Sequence, residues 1–166
     1  MRHLIAIFLQ NEAGALTRVT GLISSRGYNI ESLSVAPTND PTVSRVTLVT
    51  IGDDAVIAQI NAQLLKLVDV VAVEDLTSGD HLARELMLIK LQIATEHLEA
   101  VNALSRRVGG RVLSAKPSSY IVELTGTEAE ISEFIANAAA FGDIVEVVRS
   151  GVVGISRANP RLHIVK

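Results

Sequence analysis

Hydrophobic residues in the first 76 positions follow two spacings, one typical of strands and one typical of helices. Short apolar runs bounded by Gly, Pro, Asn and Asp predict strands, whereas apolar residues three or four positions apart predict the buried face of a helix. The predicted elements are a strand at 3–9, a helix with the stripe Leu16, Val19, Leu22 and Ile23, strands at 29–37 and 43–51, a helix with the stripe Val56, Ile57, Ile60, Leu64 and Leu67, and a strand at 70–76. This half is therefore predicted to have the order βαββαβ.

The second half repeats this order of elements, although few residues are identical between the halves. The predicted elements are a strand at 85–93, a helix with the stripe Leu98, Val101, Leu104 and Val108, strands at 111–115 and 120–125, a helix with the stripe Ile131, Phe134, Ile135 and Ala138, and a strand at 143–149. Thr127 and Glu130 have the spacing of a capping box at the start of the second of these helices.

Two βαββαβ units predict an α+β protein with two ferredoxin-like domains, each an antiparallel sheet with its helices on one face. The predicted boundaries are a first domain at 1–76, a linker at 77–83, a second domain at 84–149 and a tail at 150–166. A unit of about 75 residues has a marginal core, and such sheets leave edge strands and one open face. We therefore expect the halves to dock on each other or the chain to dimerise.

The composition excludes several classes of function. The chain contains no Cys, so disulfides, thiolate catalysis and thiolate metal sites are impossible, which fits a reducing compartment. Aromatic residues make up only 3%, and 15 basic residues stand against 18 acidic ones, which disfavours a surface devoted to nucleic acid. No segment has the roughly 20 consecutive apolar residues of a membrane span. We expect a cytoplasmic protein that binds neither nucleic acid nor membrane.

Motifs of common catalytic and metal sites are also absent. The sequence contains no P-loop, no G-x-G-x-x-G and no G-x-S-x-G. The four histidines lie far apart, and none is three or four residues from another, so no metal site is predicted. They are His3, His81, His97 and His163. Asp53 and Asp54 resemble a carboxylate pair but are better explained as the cap of the following helix. We expect no catalytic residue, metal or cofactor in this chain.

Charge is distributed unevenly along the chain. Residues 1–76 contain 5 basic and 8 acidic residues, a net charge of −3, whereas residues 77–166 contain 10 of each. The stretch 149–166 has a net charge of +4 from Arg149, Arg157, Arg161 and Lys166. Its Gly, Ser and Pro content predicts a tail. This basic tail is either a solvated terminus or an arm that docks on an acidic partner.

The turn between the first predicted strand and helix is the strongest candidate for a binding site. Such turns present free backbone N–H groups at the positive end of a helix, and Gly14 would let a ligand approach the backbone. Asn11 has both an amide donor and a carbonyl acceptor. The turn therefore suits a free amino acid, whose carboxylate would bind the N–H groups and whose ammonium would bind the oxygen of Asn11. The alternative is a plain turn in which Gly14 relieves strain and Asn11 bonds its own backbone.

A second polar segment, centred on Asn29, lies at the entry to the second predicted strand, where an amide would line a pocket or a subunit interface or simply end a turn. Both segments belong to the string NEAGALTRVTGLISSRGYNIESLSVAPTNDPTVSRVTLVT, which resembles the ACT domain of the small, regulatory subunit of acetohydroxyacid synthase, also called acetolactate synthase. The resemblance continues through KLVDVVAVEDL, RELMLIKL and EVVRSGVVGISR, and departs most at 95–110. Its pattern NExGxLxRVxGLxxxRGYNIESLxVxPTxDPxxSR is much longer than a general ACT signature.

The resemblance implies a subunit without catalysis of its own. Such subunits bind a large catalytic subunit that holds thiamine diphosphate, Mg²⁺ and FAD, raise its activity, and confer feedback inhibition by valine in branched-chain amino-acid biosynthesis. The ACT domains pair as a homodimer with the effector at the interface. The residues implied to bind it are Asn11, Ala13, Gly14, Ala15 and Leu16 from one chain, and Asn29 and Ile30 from the other. A wall made by Leu16 and Ile30 would discriminate weakly among aliphatic side chains, because one methylene is worth about 1–3 kcal/mol.

Three other classes of protein share parts of this pattern. A stand-alone ACT-type amino-acid sensor would regulate another enzyme or transcription, although no helix-turn-helix is predicted. An RNA-recognition module has the same βαββαβ order, but it stacks bases on sheet aromatics where this chain has Leu, Val and Thr. A ferredoxin-like nickel sensor needs clustered His or Cys, which this sequence lacks.

Overall fold

Both halves of the chain fold in the order that the apolar spacing predicts. The computed structural model describes residues 1–158 and the backbone of residues 163–164. The elements of the first half are β1 (Arg2–Gln10), α1 (Ala15–Ser25), β2 (Ile30–Pro37), β3 (Val43–Ile51), α2 (Asp54–Leu64) and β4 (Val70–Asp75). Those that follow are β5 (His81–Ile93), α3 (Leu98–Arg107), β6 (Arg111–Lys116), β7 (Ser119–Gly126), α4 (Glu128–Ala138), β8 (Gly142–Arg149), β9 (Val153–Ser156) and β10 (His163–Ile164). A 3-10 turn at Thr95–His97 precedes α3.

The chain divides into two units. The first contains Met1–Ala83 and the segment that begins at Val152, and the second contains Arg84–Gly151. The predicted linker at 77–83 is irregular only as far as residue 80, because β5 begins at residue 81. The division in the structure thus differs from the predicted boundaries in two places, at the start of β5 and after residue 151.

Each unit contains an antiparallel sheet. In the first unit the strands lie in the order β10-β4-β1-β3-β2, and in the second in the order β6-β7-β5-β8. β9 pairs with β5, whose first residues belong to the same unit as β9. Counted within its own half, each set of four strands has the order 4-1-3-2. This confirms the predicted α+β fold with two ferredoxin-like units, in which β1 and β5 are central and β2 and β6 lie at an edge.

Each unit has its own hydrophobic core between its helices and its sheet. In the first unit alternate residues of β1, namely Ile5, Ile7 and Leu9, pack against apolar residues of α1 and α2. In the second unit Met87 of β5 and Phe134 of α4 belong to a core of the same kind. Burying one large apolar side chain contributes about 1.5–3 kcal/mol. The period of two along the central strands therefore decides which face of each sheet the helices cover.

The segment that begins at Val152 packs on the opposite face of the first sheet. The buried residues of this small cluster are Leu4, Ala6, Val49, Leu76 and Val152. A Cβ on Gly154 would lie 2.7 Å from Cδ2 of Leu4 and 2.9 Å from Cδ1 of Leu76. Nη2 of Arg45 also donates to the carbonyl oxygen of Gly154 at 2.7 Å. Any residue other than glycine would therefore displace these two leucine side chains, because the backbone passes directly over the sheet.

These contacts correct the prediction of a basic tail at 150–166 for the first part of that segment. Residues 153–156 are a strand packed on the first unit rather than a solvated terminus, because Val152 covers apolar surface that the first sheet would otherwise expose. Arg149 donates to the buried carboxylate of Glu85 at 2.6 and 2.8 Å. The charge of Arg149 is thus already paired within the chain. Arg161 and Lys166 lie outside the described residues.

Side chains cap α2 and α4 as the sequence predicts. Oδ1 of Asp53 accepts a hydrogen bond from the amide of Val56 at 2.8 Å, which confirms Asp53 as a cap. Oγ1 of Thr127 accepts from the amide of Glu130, and Oε2 of Glu130 accepts from the amide of Thr127 at 2.7 Å, which confirms the capping box. An N-cap side chain of this kind contributes about 1 kcal/mol. The start of α1 is different, since no side chain caps it.

Candidate effector site

Asn11 anchors the turn between β1 and α1. Its amide donates to the carbonyl oxygen of Thr42 at 2.7 Å, and its Nδ2 donates to the carbonyl oxygen of Pro41 at 2.9 Å. This bond uses one of the two N–H donors of Nδ2, so Oδ1 and the second N–H of Asn11 remain for a ligand. An oxygen can only accept, which suits the ammonium-binding role that the sequence suggests for Asn11.

Gly14, the residue directly before α1, is in the left-handed conformation that favours glycine, with a φ of 86°. The amide of Ala15 donates to the carbonyl oxygen of Glu12 at 3.3 Å, and no side chain caps the helix. The amides of Leu16 and Thr17 are therefore the N–H groups of the first turn that have no partner among the described residues. These groups lie at the positive end of the helix, and both Ala13 and Gly14 are exposed. The turn can therefore bind an anionic group through its backbone.

The two residues after Gly14 face inward. Ala15 is 2% exposed, and Leu16 is half-buried and packs against the first core. Ala15 therefore contributes to the packing of α1 on the sheet. The exposed part of Leu16 is the apolar surface that this turn offers to a ligand.

Arg18 is a component of this site that sequence reasoning missed. Its Nε and Nη2 both donate to the carboxylate of Asp69, Nη2 at 2.7 Å. The side chain of Asp69 is 4% exposed, whereas that of Arg18 is 47% exposed. A Cβ on Gly14 would lie 2.9 Å from Nη1 of Arg18, so the guanidinium lies beside the turn. The available signal was an Arg four residues after Gly14, a spacing that puts both on one helix face.

The Arg18–Asp69 pair links the turn to the segment before β4. The hydrogen bonds from Arg18 lower the pKa of Asp69 below its usual value, although desolvation acts in the opposite direction, and the same bonds raise the pKa of Arg18. The carbonyl oxygen of Asp69 also accepts from the amide of Gln10, the last residue of β1, at 2.8 Å. The pair therefore fixes the guanidinium of Arg18 next to Gly14, with its charge balanced by Asp69.

Asn29 and Ile30 lie at the opposite end of the sheet from the turn. The carbonyl oxygen of Asn29 accepts from Oγ1 of Thr50 at 2.7 Å, and Thr50 is opposite His3 in the sheet register. The turn instead follows Gln10, seven residues further along β1. At 3.3 Å per residue, this separation is about 23 Å. One chain therefore does not bring Asn29 to the turn.

The strand that follows Asn29 lies at an edge of its sheet. β2 contains eight residues and has β3 on one side only among the strands of the described part of the chain. The outer backbone groups of an edge strand are unpaired and can bond to a strand of another chain. The two halves of the predicted site are thus located at a turn and at an edge that a second chain could reach.

Other chemistry is sparse in the described residues. Within residues 1–158, no group of three or more His, Asp or Glu side chains is placed to hold a metal ion. None of the helices in the described part of the chain is long and apolar enough to cross a membrane. Nδ1 of His81 lies 3.0 Å from the carbonyl oxygen of Gly79, and the ring of His97 packs edge-on against Phe141 with 6.0 Å between centroids. These two histidines thus make local structural contacts.

Two family models match the chain in succession. The first, described as an AHAS small subunit-like ACT domain, matches residues 5–72. The second, described as the small subunit of acetolactate synthase, matches residues 84–158. The first match contains every residue of the candidate effector site.

Known proteins are similar to this chain over nearly its whole length. The acetolactate synthase isozyme 3 small subunit of Escherichia coli is 48% identical over 159 residues, which are 96% of this chain and 98% of that protein. The acetolactate synthase small subunit of Haemophilus influenzae is 40% identical over 162 residues, or 98% and 99% of the two chains. The crystal structure of the acetolactate synthase small subunit from Thermotoga maritima is 30% identical and matches with a TM-score of 0.85, covering 96% of this chain and 99% of that one.

Proposed function

The chain belongs to the family of acetolactate synthase small subunits, and we propose that it binds the catalytic large subunit, raises its activity and makes that activity sensitive to valine. Thiamine diphosphate, Mg²⁺ and FAD would then be held by the large subunit. The observation that carries the proposal is the uncapped start of α1, where Gly14 and Oδ1 of Asn11 suit the two charged ends of a free amino acid.

The effector site is formed by two copies of the chain. Antiparallel pairing of β2 with β2 of a second copy, about a two-fold axis, sets the start of one strand beside the end of the other. Pro37 ends β2, and the carbonyl groups of Pro41 and Thr42, a few residues later, bind Asn11 of the turn. Asn29 of one copy thereby approaches the turn of the other. The two-fold axis gives two such sites in each dimer.

The site offers a partner for each of the three parts of valine: its carboxylate, its ammonium and its aliphatic side chain. The carboxylate binds the amides of Leu16 and Thr17 at the start of α1, beside Nη1 of Arg18, and the ammonium binds Oδ1 of Asn11. Asn29 of the second copy adds a polar contact. The aliphatic side chain packs against Leu16 of one copy and Ile30 of the other. Because a methylene is worth about 1–3 kcal/mol in such a pocket, leucine and isoleucine are expected to compete weakly with valine.

Valine acts by favouring the arrangement of the regulatory dimer that supports catalysis less well. A ligand shifts a conformational equilibrium only by the difference between its affinities for the two states. Such coupling free energies are typically about 1–3 kcal/mol. A ligand that contacts two chains at once binds the two states with different affinities, because both sets of contacts form in one arrangement of the dimer only.

Reconstitution with the large subunit from the same cell tests the proposal. Acetolactate formation is measured for the large subunit alone, with this chain, and with this chain plus valine. We expect the chain to raise the rate, and valine to lower it only when the chain is present. A chain that binds valine by calorimetry but does not change the large subunit's activity would be a stand-alone amino-acid sensor, and the proposal would fail.

A further inference from the structure

The segment at 152–156, which we call the returning segment, is bonded to the edge strand that follows Asn29. The amide of Val152 donates to Oγ of Ser32 in β2 at 2.9 Å, over a separation of 120 positions in the sequence. Val152 is 5% exposed and shares a buried cluster with Val49, which is opposite Ser32 in the register of β2 and β3. The returning segment therefore holds β2 at Ser32, on the face that the helices do not cover.

Ser32 directly follows the part of β2 that is proposed to contact the effector. It is three positions after Asn29 and two after Ile30. The register of β2 against β3 shifts between Ile30 and Ser32, and such irregularities bend a strand and disrupt its ladder locally. A ligand that contacts Asn29 and Ile30 therefore acts on the irregular part of β2, next to the hydrogen bond from Val152.

Few contacts hold the returning segment to the first sheet. Besides the bond to β2, Nη2 of Arg45 in β3 donates to the carbonyl oxygen of Gly154 at 2.7 Å. Val152 is the buried large apolar residue of the segment, whereas Val153 and Ile155 are 50% and 58% exposed. Segments with few buried apolar contacts open at a lower free energy than the core of a protein. Docking of this segment is therefore a step that the binding of a ligand can shift.

The chain before the returning segment is fixed to the second unit. Gly151, the last residue of that unit, has a φ of 79°. Directly before it, the amide of Ser150 donates to the carbonyl oxygen of Leu86, and Oγ of Ser150 accepts from the amide of Leu86, both at 3.0 Å. Hydrogen bonds thus fix the chain on both sides of one glycine. A displacement of Val152 therefore reaches the end of β8 through a short stretch of chain.

From these contacts we propose that the returning segment transmits the binding of valine from β2 to the second unit, with Ser32 as the positioning residue. This inference rests on the proposed function, because it requires valine to contact Asn29 and Ile30. Valine binding and docking of the segment favour each other, and each strengthens the other by the same factor. When the segment is undocked, bound valine no longer lowers the activity of the large subunit.

Two substitutions weaken docking at different points without changing a residue of the effector site. Ser32→Ala removes the acceptor of the Val152 amide. Gly154→Ala places a methyl group 2.7 Å from a carbon atom of a neighbouring leucine. The matched controls are Ser34→Ala, two positions along β2 on the same face, and Val153→Ala, at an exposed position of the returning segment. Circular dichroism checks that all four variants fold.

Inhibition of the reconstituted enzyme at saturating valine is the first measurement. We expect the wild type and both controls to be inhibited equally, whereas Ser32→Ala and Gly154→Ala lose most of the inhibition. Titration calorimetry should find valine still bound by these two variants, about fivefold more weakly than by the wild type. Hydrogen exchange of the full-length wild type, followed by NMR, should show that valine slows exchange of the Val152 amide by a similar factor.

The behaviour of the wild type separates this inference from the proposed function. A wild type that valine neither binds nor inhibits would contradict both together. Full inhibition of Ser32→Ala and Gly154→Ala, or a Val152 amide that exchanges equally fast with and without valine, would overturn this inference alone. Complete loss of valine binding in Ser32→Ala would instead place Ser32 in the effector site, and would also overturn the inference.

Discussion

The two units share one order of strands and helices, but their first strand-to-helix turns differ. In the first unit the turn contains Gly14 with a φ of 86° and leads into a helix that no side chain caps. In the second unit Ala94 has a φ of −71°, the chain passes through the 3-10 turn at Thr95–His97, and His97 packs against Phe141. The second turn therefore lacks the exposed left-handed glycine. The difference teaches that the binding site is a property of one turn rather than of the shared fold.

The edge strands of the two units differ in a related way. β2 has eight residues, whereas β6 has six. β6 begins with Arg111, which lies 3.1 Å from a carboxylate oxygen of Glu123, and ends with Lys116. Short edge strands with charged residues disfavour pairing with another chain. We therefore expect β2, rather than the corresponding edge strand β6, to pair with a second copy of the chain.

The largest expected effect is a loss of stability in the second unit that leaves the first unit intact. Phe134 is 1% exposed in the core of the second unit, and Phe134→Ala should cost about 3–5 kcal/mol. We expect a lower unfolding temperature for the second unit in scanning calorimetry, with valine binding by the first unit retained. Leu113→Ala, at a position 49% exposed in the same unit, should change stability far less. Loss of valine binding in Phe134→Ala would contradict this independence.

Adding a carboxylate to each of the two turns tests their difference directly. Gly14→Asp puts negative charge where the effector's carboxylate is proposed to bind, and should weaken valine binding by about 2–5 kcal/mol, or about 30-fold or more. Activation of the large subunit should remain. Ala94→Asp adds the same charge to the matching turn of the second unit and should leave valine binding unchanged in titration calorimetry. Wild-type affinity in Gly14→Asp would remove this turn from the site.

Asn29 is expected to have a smaller effect than the turn. Asn29→Ala removes one hydrogen-bonding side chain from the second copy's part of the site and should weaken valine binding by about 1–3 kcal/mol. Asn39→Ala, at an exposed position in the loop between β2 and β3, is the matched control. Unchanged valine inhibition of the reconstituted enzyme by Asn29→Ala would exclude Asn29 from the site.

The smallest expected effect is the acid dependence that Glu130 gives to the second unit. Hydrogen bonds from the amide and hydroxyl of Thr127 lower the pKa of Glu130. A lowered pKa in the folded state stabilises the protein above the ordinary value of about 4, and this stabilisation is lost as the pH falls through the folded-state pKa. Glu130→Gln should therefore lower the unfolding temperature at pH 7 but not at about pH 2. Glu133→Gln, on the same helix, is the control, and an equal loss at both pH values would contradict the role of charge.

Local signals in the sequence were sufficient to predict the fold. The period of two in β1 and the helical stripes gave the element order of both units, because each depends on residues within a few positions of one another. Asp53 and the pair Thr127 and Glu130 were predictable as caps for the same reason. Asn11 and Gly14 were also recognisable, since a strand-to-helix turn is a local feature.

Features that depend on distant residues could not be predicted from the pattern. Arg18 and Asp69 are 51 positions apart, and nothing local indicates that the carboxylate of Asp69 is buried beside α1. The packing of Val152 and Gly154 on the first sheet likewise depends on a face completed by β1 and β3. A Gly-rich basic segment has the composition of a tail whether or not it finds such a face. Contacts between residues far apart in the sequence therefore decide both the pairing of Arg18 with Asp69 and the packing of the segment at Val152 and Gly154.

A mixed dimer tests most directly the claim that each effector site is shared by two chains. One chain has Gly14→Asp and the other has Asn29→Ala, with different purification tags. If the site is shared, one site of the mixed dimer contains both substitutions, and the other contains neither. Titration calorimetry should then find valine bound with wild-type affinity at about half the wild-type number of sites, although each parent dimer has no such site. A mixed dimer without a wild-type site would show that the turn and Asn29 do not act across two chains.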